Sequence, residues 1–130
     1  ILRINNPSSM DDGDYLIWGH DNASYDFNDI DVPGAVNNRL NRVWRVDETG
    51  DIGTVSVRFD LSGSTIGSSS DLVLLIDSDD GVFGNATQIP VSSYVSNIAT
   101  FDGVNLVSGN WFTVGSLSNS NTLPYASLKF

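Results

Sequence analysis

Cysteine is absent from this 130-residue chain, and basic residues are scarce: six Lys and Arg stand against sixteen Asp and Glu, with a single His. Without Cys there is no disulfide framework, no thiolate metal centre and no cysteine nucleophile. A formal net charge of −10 repels phosphate, which argues against nucleic acid and anionic lipid as partners. No apolar run approaches the ~20 residues of a membrane-crossing helix, so membrane insertion is not expected, and no signal peptide is visible. Helical stripes are missing too: no segment repeats its apolar residues at a three-to-four spacing. Catalytic signatures are equally thin. A Ser-His-Asp arrangement would have to use His20, and no Gly-x-Ser-x-Gly elbow accompanies any serine. A flat, acid-rich domain of this size has little chain to spare for a cleft, so no enzyme is expected.

What is present points to one β-rich domain. Charged residues are only 17% of the chain and aromatics 10%, a balance unlike that of disordered segments. At this length a single core buries about two-thirds of the open chain's surface, enough to stand alone. Val55, Val57, Phe59 and Leu61 alternate with Ser56, Arg58 and Asp60, the pattern of a strand with one wet face. Residues 72–76 are uniformly apolar, which predicts a strand covered on both faces. Further strands are expected over residues 1–4, 15–18, 41–48, 98–101, 111–115 and 125–130, about eight in all. The separators are turn formers such as Asp12-Gly13, Pro33-Gly34, Asp80-Gly81 and Ser108-Gly109, and the Ser- and Gly-rich residues 62–70 read as a loop. Short strands at this spacing predict an all-β fold, an antiparallel β-sandwich of jelly-roll or Ig-like type. Residues 1–130 read as one module, and the abrupt start at Ile1-Leu2-Arg3-Ile4 reads like a piece excised from a larger multidomain protein.

Two clusters carry candidate chemistry. Asp77-Ser78-Asp79-Asp80-Gly81 ends the apolar strand, and closely spaced carboxylates in a turn are ligands for a hard cation such as Ca²⁺. The EF-hand pattern fails, since Gly81 falls one position early and Gln88 stands where a bidentate Glu is needed. The plainer alternative is an Asp-Gly turn whose carboxylates cap local amides. Seven of the sixteen acids lie between Asp11 and Asp31, interleaved with Trp18, His20, Asn22 and Tyr25. Sugar recognition needs an aromatic plate together with Asp, Asn or His groups for hydroxyls. Trp18, Tyr25, Trp44 and Trp111 are the candidate plates, with His20, Asp21 and Asn22 as hydrogen-bonding groups; of these, Trp18 reads more as core, His20 and Tyr25 more as exposed. Arg39, Arg42 and Arg45 hold half of the basic residues and are expected to pair with carboxylates in support of the fold. A lone Lys129 is thin ground for an isopeptide crosslink.

Gly13-Asp14-Tyr15-Leu16-Ile17-Trp18-Gly19-His20-Asp21-Asn22, followed by the Arg42-Val43-Trp44-Arg45-Val46 block and Asp47-Glu48-Thr49-Gly50, resembles a domain of unknown function found in very large secreted or cell-surface proteins of Gram-negative bacteria, especially Bacteroidetes. The likeness continues through Gly53 to Gly63, Leu74 to Phe83 and Ser108 to Gly115, and leaves residues 116–130 unmatched. It implies a β-sandwich in exported proteins, among adhesin-like repeats or polysaccharide-active domains, and no enzyme chemistry. The family's acidic loop is often longer, with alternating Asp and Gly; here it is Asp77-Ser78-Asp79-Asp80-Gly81-Val82-Phe83. The expectation is therefore a secreted or cell-surface, non-catalytic carbohydrate-binding module, covalently linked to neighbouring domains, with a polysaccharide or surface glycan as partner. The alternative is a structural or adhesive spacer stiffened by Ca²⁺. Exposure of the tryptophans separates the two, because a spacer buries all three.

Overall fold

The alternating segment forms β6 (Val55–Asp60), which has β1 (Leu2–Asn5) on one edge and β10 (Ile98–Val104) on the other. With β9 (Ser93–Val95) beyond β10, these make a four-stranded antiparallel sheet. The computed structural model describes residues 1–65 and 71–117. A second, seven-stranded antiparallel sheet is organised around β11 (Trp111–Ser116). One edge of β11 pairs along its whole length with β7 (Leu72–Asp77), which in turn pairs with β8 (Thr87–Pro90). Its other edge is shared. Trp111 and Phe112 meet β5 (Trp44–Thr49), whereas Gly115 and Ser116 meet β4 (Asn38–Leu40). β2 (Tyr15–His20) lies outside β5, and β3 (Phe27–Asn28) outside β4.

The all-β, antiparallel expectation holds, but eleven strands are present among the described residues rather than about eight in the whole chain. The additional ones are β3, β4, β8 and β9, each of two to four residues. A run that short contains too few alternations to register as a period. The expected strand at 125–130, with Lys129, lies outside the described residues, as does the 66–70 part of the Ser- and Gly-rich loop. Among the described residues the only helical structure is a 3₁₀ turn, Phe83–Asn85.

The strand expected over 41–48 begins instead at Trp44, because Asn41, Arg42 and Val43 step out of the ladder between β4 and β5. The step is held on three sides. The Asn41 amide donates to the Asp26 carbonyl, and the Val43 amide donates to Asp21 Oδ1. The fully buried Thr113 hydroxyl lies against the Arg42 carbonyl at 2.7 Å and the Leu40 carbonyl at 3.4 Å.

Strand parity then fixes the core. Trp44 and Val46 on β5, Leu72 and Leu74 on β7, and Phe112 and Val114 on β11 face Val55, Val57, Phe59, Ala99 and Phe101 of the smaller sheet. Trp44 is the hub, with Phe59 edge-on at 5.3 Å and Phe112 stacked at 6.2 Å. The opposite parity of the larger sheet is also covered. Val73 and Leu75 pack with Val36, Phe83 and Ala86 from loops that cross the outer face. This is why residues 72–76 are apolar throughout. Gly115 belongs to this second cluster, where a Cβ would stand 3.0 Å from both Leu75 and Val36.

Candidate functional site

The outer face of the larger sheet carries one cross-strand row that no sequence pattern announces. Gly19 of β2 pairs with Arg45 of β5, Arg45 with Trp111 of β11, and Trp111 with Asp77 of β7. Arg45 is exposed and lays its guanidinium 4.7 Å from the centre of the Trp111 ring. Such a contact holds the cation without desolvating it.

The acidic turn closes the row from the other side. Asp77 is buried, and its Oδ2 accepts from the amides of Gly81 (2.6 Å), Asp80 (3.0 Å) and Asp79 (3.3 Å). Asn85, oriented to satisfy both neighbours, donates to Asp77 Oδ1 at 3.0 Å and to the Val82 carbonyl. Burial alone would raise the Asp77 pKa, but the converging amides outweigh it and hold the carboxyl below the usual range. Asp79 is pushed up, chiefly by sharing a hydrogen bond with Asp77 and also by the neighbouring carboxylates. Gly81 has φ +82°, and a Cβ there would lie 3.3 Å from Trp111 Cε2, so the turn rests on the indole. Carboxylate oxygens of Asp77, Asp79 and Asp80 all lie within 4.8 Å of one another. The Asp80 side chain is exposed at the mouth of the turn.

The end of β2 supplies the third wall. Asp21 Oδ1 accepts from the amides of Ala23 (3.0 Å) and Val43 (3.1 Å), which leaves Oδ2 unengaged by this pair. His20 Nδ1 accepts the Asn22 amide at 2.9 Å, so the neutral ring carries its proton on Nε2. Together Gly19, His20, Asp21, Val43, Arg45, Asp80, Gly81 and Trp111 line a groove of about 490 Å³. A second depression of about 390 Å³ shares Gly19 and Arg45 and runs on to Ile17, Asp47 and Gly109. A Cβ at Gly19 would meet nothing within 4 Å, so this residue leaves the floor open where the two join. The combined surface offers carboxylate acceptors, a guanidinium fork and an indole edge, a set suited to hydroxyl-rich ligands, while the His20 ring turns to the inner side of the sheet, edge-on to Trp44 at 6.1 Å.

Of the residues predicted for a site, the groove gathers His20, Asp21, Trp111 and Asp80. Trp18 and Asn22 are not among the residues that line it, and Trp18, paired with the inward Val46, faces the inner side of the sheet yet is 37% exposed rather than core. Edge strand β2 overhangs the smaller sheet there, so the indole is left uncovered. Trp44 is only 2% exposed and is no ligand plate; it is the packing hub of the main core. Tyr25 is not an open plate either. Its hydroxyl donates to the Asp60 carbonyl across the two sheets, and Arg42 covers its ring at 5.6 Å. Burial, and then the Asp60 charge, push its phenol well above the ordinary range. The arginines also depart from expectation. Among the described residues only Arg39 makes an ion pair, with Asp31 at 3.6 Å, while all three lie on rings: Arg39 on Phe83, Arg42 on Tyr25 and Arg45 on Trp111. Arg45, Gly19 and Val43 were missed as site residues. The inward Trp44 implies an outward Arg45, but its ring partner lies 66 residues away in the chain and leaves no local trace.

These features define an all-β domain of two antiparallel sheets with a polar groove on the outer face of the larger one. Residues 2–110 match the family described as Domain of unknown function (DUF8202), and the chain belongs to that family. No curated protein and no solved structure matches it.

Proposed function

We propose that this domain is a non-catalytic β-sandwich module that binds neutral polysaccharide in the groove between β2, β5, β11 and the acidic turn. One observation carries the reading: four segments distant in sequence bring an indole, a guanidinium and two carboxylates onto one open surface. Asp21 and Asp80 would accept from sugar hydroxyls, and Arg45 would donate to them. The surrounding negative charge disfavours anionic polymers and leaves neutral ones. An open, shallow groove suits docking of a chain segment rather than enclosure of a small molecule. The resemblance to modules of exported proteins supports a secreted or cell-surface setting, in which neighbouring domains supply other activities.

Calcium has no required place in this reading. Asp77 already accepts from three amides and Asn85, so an ion would find mainly Asp79 and Asp80, short of the six to eight oxygens Ca²⁺ prefers. The binding reading is tested by affinity electrophoresis and tryptophan fluorescence against plant and algal polysaccharides. At least one neutral polymer retards the domain, and Arg45→Ala weakens that binding by about tenfold or more through loss of a charged hydrogen-bond donor. A panel that leaves both mobility and fluorescence unchanged would overturn the reading.

A further inference from the structure

The free edge of β2 is unlike every other sheet edge among the described residues. Edge strands expose unpaired amides and carbonyls, and proteins ordinarily blunt them by shortness, charge or proline. The other four edges follow that rule: β1 has four residues and carries Arg3, β3 has two residues, β8 ends in Pro90, and β9 has three residues. By contrast β2 runs six residues, Tyr15-Leu16-Ile17-Trp18-Gly19-His20, with no proline and no acidic or basic carboxylate or ammonium group. Tyr15 is 49% exposed, Ile17 58% and Trp18 37%.

The register says which backbone groups face outward. The Asp21 amide donates to the Val43 carbonyl, so Asp21 points toward β5. On the far side of β5, Val46 exchanges hydrogen bonds with Gly109 and Asn110, so its own groups point away from β2. Alternation then turns Tyr15, Ile17 and Gly19 toward β5, and leaves the N–H and C=O of Leu16, Trp18 and His20 on the open edge. Three residues are thus set to form a new antiparallel ladder.

Charge selects the occupant. The uncharged edge is flanked by Asp14 and Asp21, and neither makes an ion pair among the described residues, where Arg39–Asp31 is the one such pair. A second copy paired antiparallel through these outward groups, with Trp18 opposite Trp18, would set Asp14 opposite Asn22 and Asp21 opposite Tyr15, so no cation meets either acidic flank, and each copy adds −10. We infer that β2 docks an extended segment of another polypeptide, apolar in its middle and carrying Lys or Arg at its ends, by strand addition to the larger sheet.

The test uses amide hydrogen exchange on the whole chain, with a capped octapeptide of alternating valine and threonine between paired lysines as the probe. The peptide is expected to bind with a Kd of about 0.1 mM or tighter. At saturation it slows exchange at Leu16, Trp18 and His20 by about tenfold or more, and leaves Ile17 and Gly19 unchanged, because β5 already protects them. Replacing the lysines by glutamates abolishes binding. Ile17→Lys, at an exposed position that leaves the core intact, weakens it by about tenfold or more. Overturning results are the absence of binding, protection that misses the three outward amides, or a free domain that sediments as a dimer with those amides already protected. Glycan binding through Arg45 is a separate measurement and stands or falls independently.

Discussion

Removing the Thr113 hydroxyl while keeping its shape isolates the step that splits β4 from β5. Thr113→Val is nearly isosteric, and at a fully buried position the added methyl would by itself be favourable. The cost comes from the carbonyls left behind. The Leu40 carbonyl keeps a partner in Arg39 Nη1 at 2.8 Å, whereas the Arg42 carbonyl loses the 2.7 Å contact with the hydroxyl. One buried acceptor stripped of its donor costs about 1–3 kcal/mol. With about 1.5 kcal/mol lost and a urea m-value of about 1.5 kcal/mol/M, the unfolding midpoint falls by about 1 M. Thr113→Ser keeps the hydroxyl and loses only a buried methyl, about 1 kcal/mol. Because the step carries Val43 into the groove wall, the valine variant also weakens polysaccharide binding, and the serine variant does not. Urea unfolding followed by tryptophan fluorescence decides the matter: a valine variant as stable as the parent would refute the account of how the ladder breaks.

The acidic turn makes two further predictions. Asp77→Ala orphans three backbone amides and should destabilise the domain by at least about 2 kcal/mol at neutral pH. The Asp77 carboxyl sits below its ordinary range, so its contribution is complete above the unfolded value near 4 and is lost as pH falls through the depressed one. Asp79, shifted upward, works the other way from an exposed position. Melts from neutral pH into acid should therefore show the gap between parent and variant narrowing below about pH 4; a constant gap would remove the carboxylate from the explanation. Melting in millimolar calcium and in chelator should give the same Tm to within about 1 °C, since an ion bound only to the native state must raise it. A rise of several degrees would restore calcium to the turn.

The sequence was most legible where one physical constraint acts along a single strand. Alternation in 55–61 marks β6, and unbroken apolarity in 72–76 marks a strand with cores on both faces. It was least legible where structure depends on partners far along the chain. Trp18 and Trp44 both stand in aromatic, β-forming surroundings, yet β5 lies between two strands and β2 at an edge, so one indole is buried and the other is not. Tyr25 looked exposed among its Asp neighbours because nothing local reveals that its hydroxyl reaches Asp60. For the groove, the residue types were visible but their convergence was not. His20, Asp21, Asp80 and Trp111 meet only because β5 and β11 pair across 66 residues of chain.

Half of the six basic side chains rest on Phe83, Tyr25 and Trp111, where they act as much by covering rings as by balancing acids. The surface at large is left overwhelmingly negative, and mutual repulsion keeps molecules apart in the way that lysines on the β2 edge would have done locally. That protection is conditional: near the isoelectric point of about 4.1 it vanishes, and the bare strand then becomes the place where molecules begin to stick together.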